Sequence, residues 1–355
     1  MNPSESSIHT DNPLVSIGMP IYNVEAYIEK SILSVLNQTY GNIELLAVDD
    51  CGTDGSIDIV KRLQAEHPRG SQIRIIHHDV NKGLGEARNS AINHAKGKYL
   101  YFIDSDDYIE PDTIKIMVPE AEKHHADIVH TVARTVYDKT GQVVRDFPEQ
   151  PYRLLKGKDA FADFVCQDYK RHVSFTAWNI LFNMDFIRKN NLRFYPVSSE
   201  DILFFSDYYP LVEVAVLMPD VTYNYLKREG SIIMGSVKGK TIPIRNIRMW
   251  FDANRIMLDH ATRNADRPFY DVHCAKLLKQ NYRAVCIALR QRSRYDAPLP
   301  DKEIAENLRH PATYAQILRF KRYRTLNLLF KMLGSLPSWL CVRLSFIIGK
   351  VIRWI

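Results

Sequence analysis

The sequence predicts an α/β fold: a mainly parallel sheet flanked by helices, followed by a helical C-terminal region. In the first part of the chain, short apolar runs alternate with amphipathic segments, which is typical of βαβ units. A polar cluster follows three of these runs, at the position where each predicted strand ends. From residue 240 onward the apolar residues recur at helical spacing, with a proline-rich break at residues 298–300.

The elements of the first half follow from this periodicity. The predicted strands cover residues 14–19, 43–48, 73–77, 99–103 and 127–133. The predicted helices cover residues 25–37, 57–66, 86–96 and 113–123. Ser56 has the short polar side chain of an N-cap and is predicted to begin the second helix.

The second half is less regular. A turn sequence at its centre predicts an exposed hairpin over residues 136–145. The uncharged aromatic segment 175–182, around Trp178, predicts a buried strand, and two further strands are predicted at 214–218 and 221–226. Glu200 and Asp201 immediately precede an apolar helical segment.

Three carboxylates end the predicted strand 99–103, namely Asp104, Asp106 and Asp107. They cannot be core residues, because an unpaired buried charge is too costly. Asp104 and Asp106 lie two residues apart, so in an extended segment they face the same side. Two oxygen ligands on one side suit Mg²⁺ or Mn²⁺, whereas the alternative is a solvated acidic turn. Since ligands of parallel α/β sheets collect beyond the carboxyl ends of strands, residues 20–25 and 49–54 are expected at the same crevice.

Composition excludes several classes of protein. No apolar run is long enough to predict a membrane-spanning helix. Residues 1–13 are polar and do not resemble a secretory signal. The five cysteines are scattered and show no C-x-x-C spacing, so neither a disulfide framework nor a zinc site is predicted. These features together predict a cytoplasmic protein.

The formal charge of +6 is concentrated at one end of the chain. Glu306 is the last acidic residue, and nine basic residues follow it, so residues 1–306 carry −3, the difference between +6 and +9. The nine are Arg309, Arg319, Lys321, Arg322, Arg324, Lys331, Arg343, Lys350 and Arg353. This asymmetry indicates an anionic partner.

The segment 339–355 combines that charge with strong apolarity. On a helix, Arg343, Lys350 and Arg353 fall on one side, and apolar residues occupy most of the remainder. This pattern predicts attachment to an anionic membrane surface. The alternative is that the C-terminal helices pack on the catalytic domain or form a dimer interface. Nucleic acid is the less suitable partner because of the apolar residues.

Residues 83–85 read Gly-Leu-Gly and invite a dinucleotide-binding interpretation. That fingerprint needs a third small residue, where Arg88 stands, and it belongs in the first βα turn rather than the third. The phosphate-binding pattern G-x-x-x-x-G-K-[ST] does not occur. Neither a nicotinamide enzyme nor a P-loop nucleotidase is therefore predicted.

Four motifs occur in order at the predicted strand ends: residues 20–25 (PIYNVE), 48–56 (VDDCGTDGS), 81–89 (NKGLGEARN) and 104–107 (DSDD). This combination resembles the family 2 glycosyltransferases, which have the Rossmann-like GT-A fold. The resemblance extends from about residue 15 to residue 128. It continues more weakly through residues 178–179, 200–201 and 228–232.

The resemblance implies a role for each matching residue. Asp201 would be the catalytic base, and Asp104 and Asp106 the ligands of Mg²⁺ or Mn²⁺. The residues implied for donor binding are Pro20, Tyr22, Asn23, Glu25, Asp50, Lys82, Arg88, Asp104 and Ser105. Asp50 would accept hydrogen bonds from a uracil-like edge, and Lys82 and Arg88 would lie near the ribose and phosphates. From the residues alone, Tyr22 could simply pack, Glu25 could be a first-turn acid favoured by the helix dipole, and Asp54 could be a helix cap.

The implied activity is inverting transfer of one sugar from a nucleotide-diphosphate sugar, such as a UDP-sugar, to a hydroxyl of a saccharide or polyprenyl-linked acceptor in bacterial polysaccharide synthesis. Processive members carry Gln-x-x-Arg-Trp, whereas residues 280–284 end in Ala284, so single addition is expected. Ile180 stands where the family often has Lys.

A sugar-nucleotide pyrophosphorylase is disfavoured, because residues 20–23 contain no glycine. The remaining alternative is a catalytically inactive GT-A carbohydrate-binding or scaffold subunit.

The expected organisation is a polar tail (1–13), a GT-A domain (14–235) and a helical region with a basic amphipathic end (236–355). Within the domain, residues 14–133 would form the nucleotide-binding half and residues 134–235 the acceptor half. The expected location is cytoplasmic and peripheral on the inner face of the cytoplasmic membrane.

Overall fold

The computed structural model describes residues 12–144, 150–172, 176–197, 199–228 and 241–352, with the backbone alone for residues 167–172. Within these ranges the strands form one sheet. They are β1 (Val15–Ile21), β2 (Ile43–Asp49), β3 (Ile73–His77), β4 (Tyr99–Phe102), β5 (Tyr108–Ile109), β6 (Ile128–Tyr137), β7 (Val143–Val144), β8 (Arg153–Lys156), β9 (Ile180–Asn183) and β10 (Val214–Lys227).

The sheet has the strand order β3-β2-β1-β4-β9-β6-β10-β5, with β7 beside β6 and β8 beside β10. Strands β3, β2, β1 and β4 are parallel neighbours, as are β6 and β10. Strand β9 lies antiparallel between β4 and β6 and joins the two parallel groups. The predicted α/β class is confirmed, and the sheet is mixed because of β9 and the short edge strands.

Helices cover both faces of the sheet and form the C-terminal region. They are α1 (Ile28–Leu36), α2 (Ser56–Glu66), α3 (Leu84–His94), α4 (Thr113–His124), α5 (Ala160–His172), α6 (Met184–Lys189), α7 (Glu200–Tyr208), α8 (Ile244–Thr262), α9 (Tyr270–Gln291), α10 (Asp301–Glu306), α11 (Tyr314–Arg319), α12 (Arg324–Gly334) and α13 (Ser338–Val351).

Apolar residues of the central strands pack on both sides of the sheet. Successive side chains of a strand point to opposite faces. In β4, Tyr101 joins one buried cluster, with α1 and α4, and Phe102 joins the other, with α3 and α7. Because both faces are covered, only the strand ends are left for polar side chains. This arrangement places a candidate site beyond the carboxyl ends of β1, β2 and β4.

The helix α2 starts slightly differently from the prediction. Ser56 is its first residue, and Gly55 occupies the N-cap position. Asp54 accepts hydrogen bonds at its Oδ1 from the Ser56 amide (3.1 Å) and hydroxyl (2.6 Å). The Ser56 hydroxyl oxygen also accepts a bond from the amide of Val24. Asp54 and Ser56 therefore stabilise the helix start, as the alternative interpretation expected.

Several boundaries differ from the sequence prediction. The two strands predicted at 214–218 and 221–226 form one strand, β10, with irregular register between Leu217 and Tyr223. Of the segment predicted as a strand at 175–182, residue 175 lies outside the described ranges, and the strand begins at Ile180. The elements β5, β8, α5 and α6 were not predicted, because they are short or border on mixed polar sequence. The predicted hairpin is present as β6 and β7, although residue 145 lies outside the described ranges.

A third buried cluster unites the C-terminal helices. It includes Leu203 of α7 together with residues of α8, α9, α10, α12 and α13. Gln280 and Arg283 of α9 are exposed, so their similarity to a processive motif is confined to the helix surface. Within the described ranges, no helix has the length and apolarity needed to cross a bilayer. The expected boundary after residue 235 lies outside those ranges.

Candidate functional site

Two polar loops lie side by side at the ends of β1 and β2. The side chain of Asn23 accepts a hydrogen bond from the Thr53 amide (2.8 Å), and that of Glu25 accepts one from the Gly55 amide (2.9 Å). These predicted donor residues therefore fasten the first loop to the second. The Tyr22 ring is 49% exposed beside them and is available to a ligand.

Asp50 anchors the loop that follows β3. Its carboxylate is almost fully buried and accepts hydrogen bonds from the amides of Lys82 (2.8 Å) and Gly83 (2.8 Å). Its Oδ1 lies 2.7 Å from Nδ1 of His78, whose Nε2 lies 2.7 Å from the hydroxyl of Ser90. The contact of Asp50 with a nucleotide base stays a prediction. The role of His78 could not be predicted from sequence, because it stands in a histidine pair at a strand end, where adjacent side chains point apart and form no motif.

Other predicted donor residues lie near the ends of β1, β3 and β4. Pro20 is buried near the end of β1, and Ser105 is buried in the loop after β4. Lys82 is exposed, and within the described ranges its ammonium group has no acidic partner. It is therefore a cation available to an anionic ligand.

The acidic loop after β4 is held by the neighbouring strand β10. Asp107 is buried and accepts hydrogen bonds from the Leu226 amide (2.7 Å) and the Tyr223 hydroxyl (2.7 Å). The Tyr223 oxygen in turn accepts a bond from the amide of Asp104. Trp178 stacks on the ring of Tyr223 with centroids 4.3 Å apart. Asp107 is thus a structural anchor, and Asp104 and Asp106 are left to face the crevice.

Asp106 has a cationic partner in this structure. The Nε of Arg228 donates a hydrogen bond of 2.8 Å to its Oδ2, and the Arg228 guanidinium lies over the ring of Tyr27. Burial raises the pKa of Asp106 above its ordinary value, and the neighbouring charge of Asp104 raises it further. In the sequence, Arg228 belongs only to the weakly matching motif at residues 228–232. The contact with Asp106 brings it into the site.

The two carboxylates fit a divalent cation by their chemistry. Asp104 and Asp106 offer hard oxygen ligands close enough to repel each other, and a cation would offset this repulsion. Within the described ranges, no group of three or more His, Cys, Asp or Glu residues could hold a metal. Mg²⁺ commonly takes one or two protein carboxylates and completes its shell with phosphate oxygens and water. A two-carboxylate site of that kind fits these residues.

Arg88 of α3 lies behind these carboxylates. It is buried, and its Nη2 donates to Asp104 (2.8 Å) while its Nη1 donates to Glu200 (2.9 Å) and to Asp201. Burial opposes its charge, but Asp201, Asp104 and Glu200 outweigh burial and raise the pKa of Arg88. The guanidinium therefore joins the acidic loop to the start of α7. Direct contact of Arg88 with a donor stays a prediction, while a positioning role follows from these bonds.

Gly85 allows α3 to approach closely enough for this contact. A Cβ at Gly85 would overlap the carbonyl oxygen of Tyr195, just before α7. We expect Gly85→Ala to lower the free energy of unfolding by about 1–3 kcal/mol, because backbone must shift to relieve the overlap. Chemical denaturation would measure the change. The control is Gly41→Ala, where nothing lies within 4 Å of the added Cβ. Equal stability of the two variants would contradict the close approach.

Asp201 lies in the first turn of α7, and its pKa differs from the ordinary value of an aspartate. Burial raises its pKa most, Arg88 opposes the rise, and Glu200 and Asp104 add to it, so that the pKa of Asp201 reaches about 7. A backbone hydrogen bond from Ala177 also opposes the rise. The side chain is 22% exposed and thus open to a ligand. A carboxylate with a pKa near neutrality is suited to general base catalysis.

Much of the candidate site lies in a region that matches a known protein family. A family model described as glycosyl transferase family 2 matches residues 16–181. Residues 16–181 form a family 2 glycosyltransferase domain. The matched range contains the donor and metal residues predicted from sequence, whereas Asp201 and Arg228 lie beyond it.

Relatives of the glycosyltransferase domain include proteins with several names. An uncharacterized glycosyltransferase of Haemophilus influenzae is 39% identical over 118 residues, covering 33% of this chain and 46% of the relative. The uncharacterized glycosyltransferase EpsJ of Bacillus subtilis is 33% identical, covering 55% of this chain and 54% of the relative. A chondroitin synthase of Escherichia coli is 32% identical, covering 47% of this chain and 24% of the relative. The chain thus spans about half or less of the length of these curated relatives.

Solved structures extend the fold comparison to nearly the whole chain. Residues 1–349 of TarS from S. aureus, in complex with UDP-GlcNAc, match with a TM-score of 0.70 and 20% identity. The match covers 95% of this chain and 92% of that one. At this identity the likeness shows the fold, which is GT-A in both proteins. The predicted fold family is therefore confirmed.

Proposed function

We propose that this protein is an inverting glycosyltransferase that moves one sugar from a nucleotide-diphosphate sugar to an acceptor hydroxyl. A uridine nucleotide is the expected carrier, since the similar TarS structures contain UDP-GlcNAc and UDP. The exposed ring of Tyr22 and the cation of Lys82 border the crevice where the base and phosphates would bind.

The observation that carries this proposal is the link through Arg88. One guanidinium binds Asp104, beside the proposed donor phosphates, and Asp201, the proposed base. A single rigid group thereby sets the distance between the donor and the atom that removes the proton. Such positioning holds the donor and the base in the relative orientation that the reaction requires.

In the proposed reaction, Asp201 accepts the proton of the acceptor hydroxyl as that oxygen attacks the anomeric carbon. The bond from the anomeric carbon to the diphosphate breaks as the new glycosidic bond forms. Attack from the face opposite the leaving group inverts the configuration, so an α-linked donor gives a β-glycoside. Lys82 and Arg228 offset the negative charge that develops on the diphosphate. A divalent cation held by Asp104 and Asp106 would add Lewis-acid stabilisation of that charge.

The acceptor is proposed from the relatives. Since one of them is named chondroitin synthase, we infer a saccharide or lipid-linked saccharide acceptor and a role in polysaccharide synthesis. We infer single addition, because Gln280 and Arg283 are exposed on α9 and Ala284 stands where processive members carry Trp. All five cysteines are unpaired, which suits the reducing cytoplasm.

A screen of donors tests this function directly. The protein would be incubated with UDP-, GDP- and TDP-sugars and a saccharide acceptor, with Mg²⁺, Mn²⁺ or EDTA, and release of nucleoside diphosphate would be measured. We expect release with one class of donor, and loss of release in EDTA. If no donor is consumed but a nucleotide or saccharide still binds in calorimetry, the protein is an inactive GT-A binding subunit instead.

Turnover should depend on pH through Asp201. The charged and titratable groups around it are Arg88, Glu200, Asp104 and Tyr208. The base works only as the carboxylate, and the pKa of Asp201 is raised to about 7. We therefore expect turnover to rise with pH, reach half of its maximum near pH 7 and level off above it. A pH profile of single-turnover transfer would measure this.

A neighbouring variant checks the assignment of that profile. The charge of Glu200 raises the pKa of Asp201, so Glu200→Gln should move the half-maximum to lower pH. Asp58→Asn, on the exposed surface of α2, should leave it in place. A profile that is flat between pH 5 and 8, or that does not move in Glu200→Gln, would exclude Asp201 as the titrating base.

A further inference from the structure

Exposed apolar side chains are concentrated at the C-terminal end. Of the eighteen large apolar residues that are exposed within the described ranges, ten lie between residues 314 and 352. They are Tyr314, Leu318, Tyr323, Leu329, Met332, Trp339, Ile347, Ile348, Val351 and Ile352. Single exposed apolar residues need no explanation, but a concentration of this kind indicates an interaction surface.

Helices α12 and α13 each divide into a packed and an open face. In α13, Cys341, Val342, Ser345 and Gly349 are buried, and the helix packs on α9 and α10. The opposite side carries Trp339, which is 59% exposed, and further exposed residues at helical spacing. One face of each helix is thus covered by other helices of the C-terminal region, whereas the alternative expected this packing against the catalytic domain. The other face remains uncovered within the described ranges.

The open face of α12 lies on the same layer of helices. Asn327 and Phe330 are buried, and α12 packs on α9 beside α13. Leu329 and Met332 point away from that packing and are 57% and 59% exposed. We call the exposed residues of α11, α12 and α13, together with Tyr323, the C-terminal face.

Basic side chains accompany the apolar ones. Six of the basic residues after Glu306 are exposed: Arg309, Arg319, Lys321, Arg324, Arg343 and Lys350. Within the described ranges none of these six forms a salt bridge, whereas Arg322 is bound by Asp163 and Asp271. The ammonium group of Lys350 lies over the ring of Phe346, so its stem follows the apolar surface. Arg353 lies outside the described ranges.

We propose that the C-terminal face docks on the surface of an anionic lipid bilayer. The apolar side chains would enter the headgroup boundary, and the unpaired basic groups would bind lipid phosphates. A second copy of the chain is a poorer partner, because a symmetric dimer would bring two copies of the same basic surface together, and no acidic residue follows Glu306 to offset their charge. A nucleic acid would satisfy the charges but would leave the apolar side chains without a partner.

Flotation of the protein, residues 1–355, with vesicles tests this proposal. Vesicles of phosphatidylcholine alone would be compared with vesicles that also contain phosphatidylglycerol, each at low and high salt. We expect flotation with the anionic vesicles at low salt, reduced flotation at high salt, and little with the neutral vesicles. Absence of flotation with anionic vesicles at low salt would overturn the proposal.

Two sets of variants separate charge from apolar insertion. The double variant Arg343→Gln/Lys350→Gln should weaken partition roughly 30-fold, since each basic residue contributes to attraction by the anionic surface. Ile347→Ser/Val351→Ser should weaken it by removing inserted apolar area. The matched control is Lys61→Gln/Lys115→Gln, which removes two exposed basic residues from the glycosyltransferase domain. Equal weakening by this control would show attraction by overall charge and refute a defined face.

Two further measurements distinguish a lipid surface from a second copy of the chain as the partner of the C-terminal face. Light scattering without vesicles would detect a dimer. If Ile347→Ser/Val351→Ser abolished that dimer but left flotation unchanged, the C-terminal face would be a subunit interface. Fluorescence quenching by brominated lipid reports insertion of Trp339, and the quenching should decrease in Trp339→Phe. Diphosphate release measured without vesicles is independent of docking, so failure of this proposal and failure of the proposed enzyme activity are distinguishable.

Discussion

Replacing Asp201 by Asn is expected to lower turnover by roughly 10²–10⁴-fold, the usual scale for the loss of a general base. Asn has nearly the same shape and can still accept a hydrogen bond from Arg88, but its amide cannot take the proton of the acceptor hydroxyl. The KM of the donor should change little, because the proposed role of Asp201 is to contact the acceptor. Steady-state kinetics with saturating acceptor would measure both quantities.

The adjacent acid provides a stringent comparison. Glu200 also binds Arg88, and Glu200→Gln removes one charge from the same guanidinium while leaving Asp201 intact. Its loss of turnover should be much smaller than that of Asp201→Asn. A variant of Asp201 that turned over normally but bound the donor weakly would identify Asp201 as a donor ligand, and the base would have to be sought elsewhere.

Replacing Asp106 by Asn should lower transfer by roughly 10³-fold. Loss of a carboxylate that holds a divalent cation removes several kcal/mol of stabilisation of charge on the leaving diphosphate, and each 1.36 kcal/mol corresponds to a factor of ten. The fold should remain intact, because the side chain lies at a polar strand end and opens no cavity in the core. Turnover with added Mn²⁺, together with thermal denaturation, would separate the two effects.

The matched control for Asp106→Asn is Asp58→Asn, which removes the same charge from a side chain that is 87% exposed. We expect full transfer in this control. Because Arg228 binds Asp106 in the present structure, Arg228→Ala is informative as well. It should weaken donor binding without abolishing binding of Mn²⁺. Full activity of Asp106→Asn in the presence of metal would refute the metal assignment.

Much of the first half of the fold could be predicted from sequence. The strand β3 has the predicted bounds, and β2 and β4 differ from theirs by one residue, because buried parallel strands are short apolar runs with abrupt polar ends. The second half was harder to predict. Strand β10 bends through an irregular register that divides its hydrophobic pattern in two. Strand β8 is half exposed, so its pattern is indistinct.

Some features of the candidate site could likewise be predicted from sequence, and others could not. Its acidic and basic members could be found from sequence, since Asp104, Asp106 and Asp107 directly follow an apolar strand, and Lys82, Arg88 and Asp201 stand at positions of the family motifs. The role that each of these residues plays within the site could not be predicted from sequence. Asp107 resembles Asp106 in the sequence, yet hydrogen bonds from Tyr223 and Leu226 bury it as an anchor. Only the packing of β10 beside this loop distinguishes the two residues.

The sequence alone determined the α/β class, the family and the inventory of ionisable residues, because apolar periodicity and short motifs are local properties. Tertiary structure decided which charges meet. Arg88 is separated from Glu200 by 112 residues and from Asp104 by 16, and only the approach of α3 to α7 brings the three together. Tertiary structure likewise decided which face of α13 is covered by other helices. Burial and electrostatic coupling depend on distances between remote segments, and these distances exist only in the folded chain.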